Sequence, residues 1–422
     1  MRIVRILRSA ICTLFAVVLV TLSFPPAQAG EVTAKGAADA IAWGIDVSAW
    51  QGNIDWNAVK ASGVQFVFIK CGGTIYGFDD HFAQNMAGAK AAGIKTGVYI
   101  YSYATNVMDG LIEAQWILNA VAPYVVEMPL VLDIENKRQK ALDPLTNAMI
   151  CNLFCQAVEA AGYYPMVYSN RNMFKNTIGE FGYDKWVAQW ADYCYDETAA
   201  FWQVSDQGVI PGIKGHVDLD IQFKDLSQYL VPNGFITRDG FTYYYVNYRR
   251  QNATFAVVDG NTYYLDPFGH LIAGMLYPVG DFIYYFDTTG IMQKGFVTLA
   301  DGTRYFDEEG RMLTGWQTLA GNTYFLDPAL GGAMYKGFIS DGINSYYLGV
   351  DGILQKGLFT ANGSIFYADG NGRIQTGLVN IQGINFYFDP AKGGALMIAD
   401  TATDAAGHVY VSDATGLAVM IK

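Results

Sequence analysis

Basic residues are scarce in this 422-residue chain: 27 Lys and Arg stand against 39 Asp and Glu, a formal net charge of −12. No basic stripe offsets the acids, which excludes a nucleic-acid footprint and simple electrostatic adhesion to an anionic membrane or polymer. Cysteine is rare too. Cys12 lies in the leader described below, and Cys71, Cys151, Cys155 and Cys194 are too few and too scattered for a disulfide scaffold. Cys151 and Cys155, four apart on a helical stretch, read as core residues. The four histidines (81, 216, 270 and 408) are isolated, and no Cys-x-x-Cys or His-Glu-x-x-His spacing occurs. Neither zinc nor any other cofactor is therefore expected. After the leader, no apolar run is long enough to cross a bilayer.

The leader carries Arg2, Arg5 and Arg8, an apolar run from Ile11 to Phe24, and the small-x-small site Ala27-Gln28-Ala29. That is the pattern of a secretory signal peptide over residues 1–29, which places the mature protein outside the cell or in its wall. Residues 30–41 read as a linker.

From residue 42 to 227, apolar strand runs alternate with helical patterns. Strands are expected at 42–47, 64–70, 95–101, around Asp133, and at 164–168. Helices are expected at 55–62, 80–92, 108–122, 144–161 and 171–178. Three further strands (185–190, 200–204 and 216–222) follow with gaps too short for full helices. Eight strands and five helices fit an α/β fold of modified (β/α)-barrel type. A doubly wound sheet is weakened by the lack of Gly-x-Gly-x-x-Gly after the first strand.

The chemistry centres on Pro129-Leu130-Val131-Leu132-Asp133-Ile134-Glu135. A buried strand leads into two acids, and strand alternation puts Asp133 and Glu135 on one side. Carboxylates there are expensive to desolvate, so they need partners or a task. Asp46 ends the first strand; Asp218 and Asp220 share a face of the eighth. In a barrel the carboxyl ends of the strands converge on one mouth, so these acids can meet. The aromatics Trp50, Tyr99, Tyr101, Tyr103, Trp190 and Trp202 accompany them. Aromatic faces beside carboxylates suit a sugar ring, although Tyr99 and Trp202 fit the strand core equally well.

Gly44-Ile45-Asp46-Val47-Ser48 with Gln51-Gly52, Tyr99-Ile100-Tyr101-Ser102, Leu132-Asp133-Ile134-Glu135, Trp202-Gln203 and Val217-Asp218-Leu219-Asp220 together resemble glycoside hydrolase family 25, the bacterial and phage-type lysozymes (N-acetylmuramidases). The resemblance covers about residues 42–226 and implies a barrel of eight strands and five helices. It implies hydrolysis of the β-1,4 bond from N-acetylmuramic acid to N-acetylglucosamine in peptidoglycan. By residue match Glu135 is the general acid, with Asp46, Asp133 and Asp218 in its acidic cluster. Tyr99, Tyr101, Trp190, Trp202 and Asp220 are expected to contact substrate. A Lys-x-Ser/Thr-Glu-Gly segment common in the family reads Lys70-Cys71-Gly72-Gly73-Thr74 here, without the glutamate. Carboxyls two apart on one strand suit net retention, by a carboxylate nucleophile or by the substrate's own 2-acetamido group, with Asp133 orienting that group in the second case.

Residues 228–422 change texture. An Asp after an aromatic strand recurs at 266, 287, 307, 327, 369 and 389, with Gly349 in the remaining slot. Each period reads as one β-hairpin, and eight or nine stacked hairpins form an all-β solenoid. The units resemble the cell-wall-binding, choline-binding-type repeats of secreted Gram-positive proteins. The resemblance implies a ligand that is choline-bearing or another wall polysaccharide. Choline capture needs an aromatic cage; only Trp316 supplies a tryptophan, and Tyr244, Tyr264, Tyr285, Phe306, Tyr347 and Tyr387 read as core. Two other functions remain open on the sequence: a catalytically idle wall-binding adhesin, and a hydrolase of another N-acetyl glycan such as chitin.

Overall fold

The computed structural model describes residues 36–422; the expected signal peptide (1–29) and residues 30–35 of the expected linker lie outside the described residues. The chain forms two compact units. The first runs to Val258 and takes in Tyr264–Leu271; the second comprises Asp259–Tyr263 and Ile272–Lys422. No helix among the described residues is long and apolar enough to cross a membrane.

The first unit is built on a closed barrel. Its strands are β1 (Ala42–Val47), β2 (Phe66–Gly73), β4 (Lys95–Tyr101), β5 (Leu130–Asp133), β6 (Pro165–Asn170), β7 (Lys185–Ala188), β8 (Ala199–Gly208) and β9 (Val217–Gln222), with a two-residue tab, β3 (Gly77–Phe78), on the edge of β2. From β1 through β8 each neighbouring pair is parallel. The closing strand is not: β9 runs antiparallel to both β8 and β1. The link from β8 to β9 is too short for a crossover helix, so the chain can only turn back on itself. Five α-helices occur among the described residues: α1 (Trp56–Ala61), α2 (Phe82–Ala91), α3 (Val107–Val121), α4 (Pro144–Ala160) and α5 (Arg171–Asn176). Asp55, Asn106, Asp143 and Asn170 cap the starts of α1, α3, α4 and α5.

Strand alternation divides the barrel residues into two layers. Phe66, Phe68, Trp186 and Phe201 fill the interior, with Phe68 stacked on Trp186 at 4.5 Å between centroids. The lumen is tight. Gly97 pairs with Phe68 across β2 and β4, and a Cβ there would lie 2.5 Å from the Phe68 ring. Ile45, Val67, Ile69, Leu130 and Leu132 face outward onto Ile117, Phe154 and Val158 of the helices. Cys71, Cys151, Cys155 and Cys194 are free and buried.

The end of α4 is closed from outside the barrel. The last carbonyls of a helix lack partners within it. Here the Glu159 carbonyl accepts from Arg250 and Asn252, that of Ala160 from Asn252, that of Ala161 from Arg249 Nε, and that of Gly162 from the Arg250 backbone N–H. The donors follow the hairpin of Asn233–Arg238 and Phe241–Val246, which therefore packs as part of the barrel unit.

Nine antiparallel hairpins follow the barrel among the described residues. The recurring acid closes each turn: Asp287 Oδ1 accepts from the N–H groups of Thr289 and Ile291, Asp307 from Glu309 and Arg311, and Asp369 from Asn371 and Arg373. In the slot held by Gly349, the carboxylate of Asp351 accepts from Ile353 instead. The buried row is mostly the residue just before this acid. Phe286, Phe306, Leu326, Leu348 and Phe388 are fully buried. Of the expected core aromatics, Tyr264, Phe306 and Tyr387 are buried, but Tyr244, Tyr285 and Tyr347 are only half-buried. They sit one position off the fully buried row, a slot that also holds the buried Tyr264 and Tyr387, and two of them pair with aromatics across their hairpins, Phe235–Tyr244 and Phe338–Tyr347, both at 4.6 Å.

Gly162, at φ +90, lies where a Cβ would come 2.1 Å from the Arg250 carbonyl. Gly162→Ala should cost about 1–3 kcal/mol through backbone strain and the lost contact, lowering the barrel's thermal midpoint by about 2–12 °C. Calorimetry of the full chain measures this, and an unchanged midpoint would show that the contact carries no stability.

Candidate active site

Strand register assembles the site. Across β4, β5, β6 and β7, Tyr101 pairs with Asp133, Asp133 with Tyr168, and Tyr168 with Trp186, so these four form one row. Strand β5 ends at Asp133, but its ladder continues through Ile134 N–H to the Tyr168 carbonyl at 2.9 Å. Ile134 faces the outer layer, and Glu135 returns to the pocket beside Asp133. On the far wall Asp46 pairs with Asp218 across the antiparallel β1–β9 ladder. The expectation that Asp218 sits at a carboxyl end is corrected here: it lies at the amino end of β9, and the reversed direction of that strand carries it to the mouth.

Asp46, Asp133, Glu135 and Asp218 thus line one cavity with Lys70, Tyr99, Tyr101, Tyr168, Trp186 and Gln203. Burial is the largest influence on every one of the four acids and pushes their pKa values up. For Asp46, Asp218 adds to the rise while Gln203 opposes it. For Asp133, neighbouring Glu135 adds to the rise and Lys70 opposes it. Glu135 is raised less, because Lys140 and Lys70 pull it back. Asp218 is pushed up to about 6 by burial, then by Asp206 and Glu135. Like charges in a dry pocket resist ionising together, so the set retains a proton near neutrality. Asp133 Oδ1 is buried and has no hydrogen-bond partner among the described residues.

The lip is also built in. Ser48 Oγ accepts from Trp50 N–H and Gln51 Oε1 accepts from Ser48 N–H, a capping box that fixes the turn presenting Trp50. Asp79 holds the same turn through Ala49 N–H at 2.9 Å. Trp50 is 88% exposed, so its ring faces solvent beside the cavity rather than the core. Trp190, also exposed, donates its indole N–H to Gln203 Oε1 at 3.2 Å and stands at the rim. Tyr101 lies under Lys70, whose Nζ is 5.1 Å from the ring centre, and packs on Tyr103.

Two expected contacts fall elsewhere. Trp202 is fully buried in the outer layer, paired with Val187, and donates its indole N–H to the Gln189 carbonyl at 2.8 Å. It belongs to the wrong face of β8 to touch a ligand. Asp220 points into the barrel but below the cavity, where Trp186 Nε1 donates to it at 2.8 Å. It buttresses Asp46 rather than lining the pocket.

Gln203, Tyr168 and Lys70 were missed as site residues. Gln203 Nε2 donates to Asp46 at 2.8 Å, and its Oε1 accepts from Tyr168 Oη at 3.1 Å. The period of two along β8 carries the signal for Gln203, since Phe201 and Gln203 share a face and Trp202 does not. Among the described residues no group of three or more His, Cys, Asp or Glu is arranged to hold a metal ion.

Comparison with known proteins identifies a family. Residues 45–213 match Glycosyl hydrolases family 25. An autolytic lysozyme of Clostridium acetobutylicum is 28% identical over 200 residues, 46% of this chain and 59% of that protein. The uncharacterised protein YegX of Escherichia coli K12 is 31% identical over 189 residues, 42% of this chain and 68% of that protein. Choline binding protein F of Streptococcus pneumoniae, solved in the presence of a peptidoglycan analogue, is 26% identical with a TM-score of 0.38, covering 47% of this chain and 65% of that one. The chain thus spans less than two thirds of the lysozyme but 68% of YegX at 31% identity, and the matched residues 45–213 fall within the barrel unit: the protein belongs to glycosyl hydrolase family 25.

Proposed function

We propose that this protein is a secreted peptidoglycan hydrolase that cleaves the β-1,4 bond between N-acetylmuramic acid and N-acetylglucosamine, held on the wall by its C-terminal hairpins. The observation that carries this reading is the gathering of Asp46, Asp133, Glu135 and Asp218 in one cavity, with a buried Asp133 oxygen unpartnered. Its name, autolytic lysozyme, brings the clostridial relative in as support.

Glu135 donates its proton to the glycosidic oxygen as that bond breaks. The 2-acetamido oxygen of the sugar attacks the anomeric carbon, and Asp133 accepts the acetamido N–H through its free oxygen. That bond favours ionised Asp133, and the charge so fixed keeps the proton on Glu135 until it is needed. Glu135 then takes a proton from the water that opens the cyclic intermediate, and configuration is retained. Asp46, oriented by Gln203, and Asp218 supply negative potential to the cationic centre. The cycle consumes one water and requires no cofactor. Outside the barrel, the half-buried aromatic pairs of the hairpins offer faces to choline-bearing or other wall polysaccharide.

Glu135→Gln should lower the rate of clearing of purified peptidoglycan by about 10²–10⁴-fold without lowering the thermal midpoint. Mass spectrometry of wild-type fragments should show reducing N-acetylmuramic acid ends. Wild-type protein that leaves turbidity unchanged would make the barrel idle, and fragments from chitin alone would move the substrate.

The same carboxyls set a pH dependence of stability. A carboxyl raised on folding favours the folded state while protonated, and that contribution disappears as pH climbs through the raised value. Asp218 gives it up through about 6, and Glu113, pushed by burial to about 7, just above. Carboxylates lowered on folding, such as Asp196, act below about pH 4 and do not compensate in this window. The barrel's thermal midpoint should therefore fall between about pH 5 and pH 7, and Asp218→Asn should flatten part of that slope. A midpoint that rises over this interval would contradict the assignment.

A further inference from the structure

Glu113 is an acid on the wrong face of its helix. It lies on α3 among Gly110, Ala114 and Ile117, on the side packed against the barrel, and is 1% exposed. It makes no ion pair among the described residues. Its two oxygens are instead used as a fork: Oε2 accepts from Ser102 Oγ at 2.7 Å and Oε1 from Tyr103 N–H at 2.7 Å. Both donors belong to the segment leaving β4, which runs from Tyr101 of the cavity to Tyr103, whose ring is tilted against that of Tyr101 at 5.1 Å.

Ser102 is a node. Its Oγ also accepts from Gln139 Nε2 at 3.1 Å and from Ala104 N–H at 3.3 Å, and its own N–H donates to the Asp133 carbonyl at 2.8 Å. Gln139 is fully buried and stands on the loop that leaves Glu135; it donates as well to the carbonyls of Ser102 and Ala104. One buried carboxylate thereby ties the aromatic wall to the loop bearing the proton donor. Burial pushes Glu113 up to about 7; above that pH the ionised fork makes hydrogen bonds roughly twice as strong as a neutral acceptor would, and burying that charge is costly unless it holds geometry in place. The mechanism described above does not use Glu113.

We propose that Glu113 is a positioning residue for glycan binding, holding Tyr101 and Tyr103 at the cavity mouth through Ser102 and, through Gln139, fixing the wall's distance from the Glu135 loop. This rests on the glycan-hydrolase function proposed above. Glu113→Gln is the sharper test because it keeps size and removes one acceptor. If its amide oxygen serves Tyr103 N–H, its NH₂ meets a Ser102 oxygen that already takes two donors, and the Ser102 hydroxyl hydrogen is left without an acceptor.

The experiment uses the full chain and a tetrasaccharide of alternating N-acetylglucosamine and N-acetylmuramic acid. Calorimetric titration compares Glu135→Gln with Glu135→Gln/Glu113→Gln, and turnover of purified peptidoglycan compares wild type with Glu113→Gln and Ser102→Ala. A misplaced wall should weaken tetrasaccharide binding and raise KM about tenfold, with kcat changing less, and total kcat/KM falling by about 10–100-fold. The thermal midpoint should stay level or rise. Binding and KM within twofold of the parent, or a loss that appears only alongside a lower midpoint, would overturn the proposal. Ser102→Ala decides the matter if Glu113→Gln does not fold, because it removes the same node without touching the buried acid. Wild-type protein that neither turns over peptidoglycan nor, as Glu135→Gln, binds the tetrasaccharide would overturn the functional proposal, and this one with it.

Discussion

Burial of four carboxyls in one cavity, sharpened by repulsion among them, is the constraint on which the barrel's mouth depends. Asp46 and Asp218 are fixed opposite each other by an antiparallel ladder, and Asp133 and Glu135 by the parity of one strand. The backbones of Asp46, Asp133 and Asp218 cannot shift without breaking ladder hydrogen bonds. The cost of burying them together is therefore held by the sheet, and it appears as raised proton affinity, from desolvation first and mutual repulsion second. Lys70 and Lys140 temper the cost at Glu135 and Asp133 without cancelling it. The interior aromatics matter for the same reason. Phe68, Trp186 and Phe201 close the lumen beneath the acids, so the field at the mouth is not diluted by water from below.

Much of this arrangement was legible in the amino-acid order, because it depends on local periodicity. The parity of Asp133 and Glu135, the five helices and the repeat spacing need only a count along the chain. What was not legible depends on facing and direction. Trp202 was picked for its residue type, yet β8 alternates, and the ring that matters for packing outward is one step from Gln203, which matters inward. The direction of β9 is set by a connection whose shortness was noted but whose consequence, an antiparallel return, is a property of the closed sheet. Asp220 was drawn into the substrate list by sharing a face with Asp218. A shared face fixes orientation and leaves depth open, and two residues deeper in the barrel is the difference between lining a cavity and supporting it.

The same limit explains the hairpins. Their period was visible because the turn acid recurs, and the structure supplies its reason: the carboxylate satisfies backbone N–H groups two and four residues on. Which aromatic row faces inward was misread by one position at Tyr244, Tyr285 and Tyr347, since both rows of each hairpin are rich in Tyr and Phe. With bulky rings on both faces, composition cannot separate core from surface. The outer row is left partly exposed, and tilted pairs such as Trp316–Phe325 keep apolar faces open to solvent.

Each turn acid bonds within the link that follows its hairpin, and the next residues of several links bond back to the preceding hairpin, as Met292 N–H does to the Thr262 carbonyl. Deleting or duplicating one repeat would leave the turn hydrogen bonds of the others intact and would place the same backbone link against a new neighbour. The hairpin whose arginines close α4 has no such freedom. Its ancestry should track that of the barrel, and the two should be inherited as a single cassette.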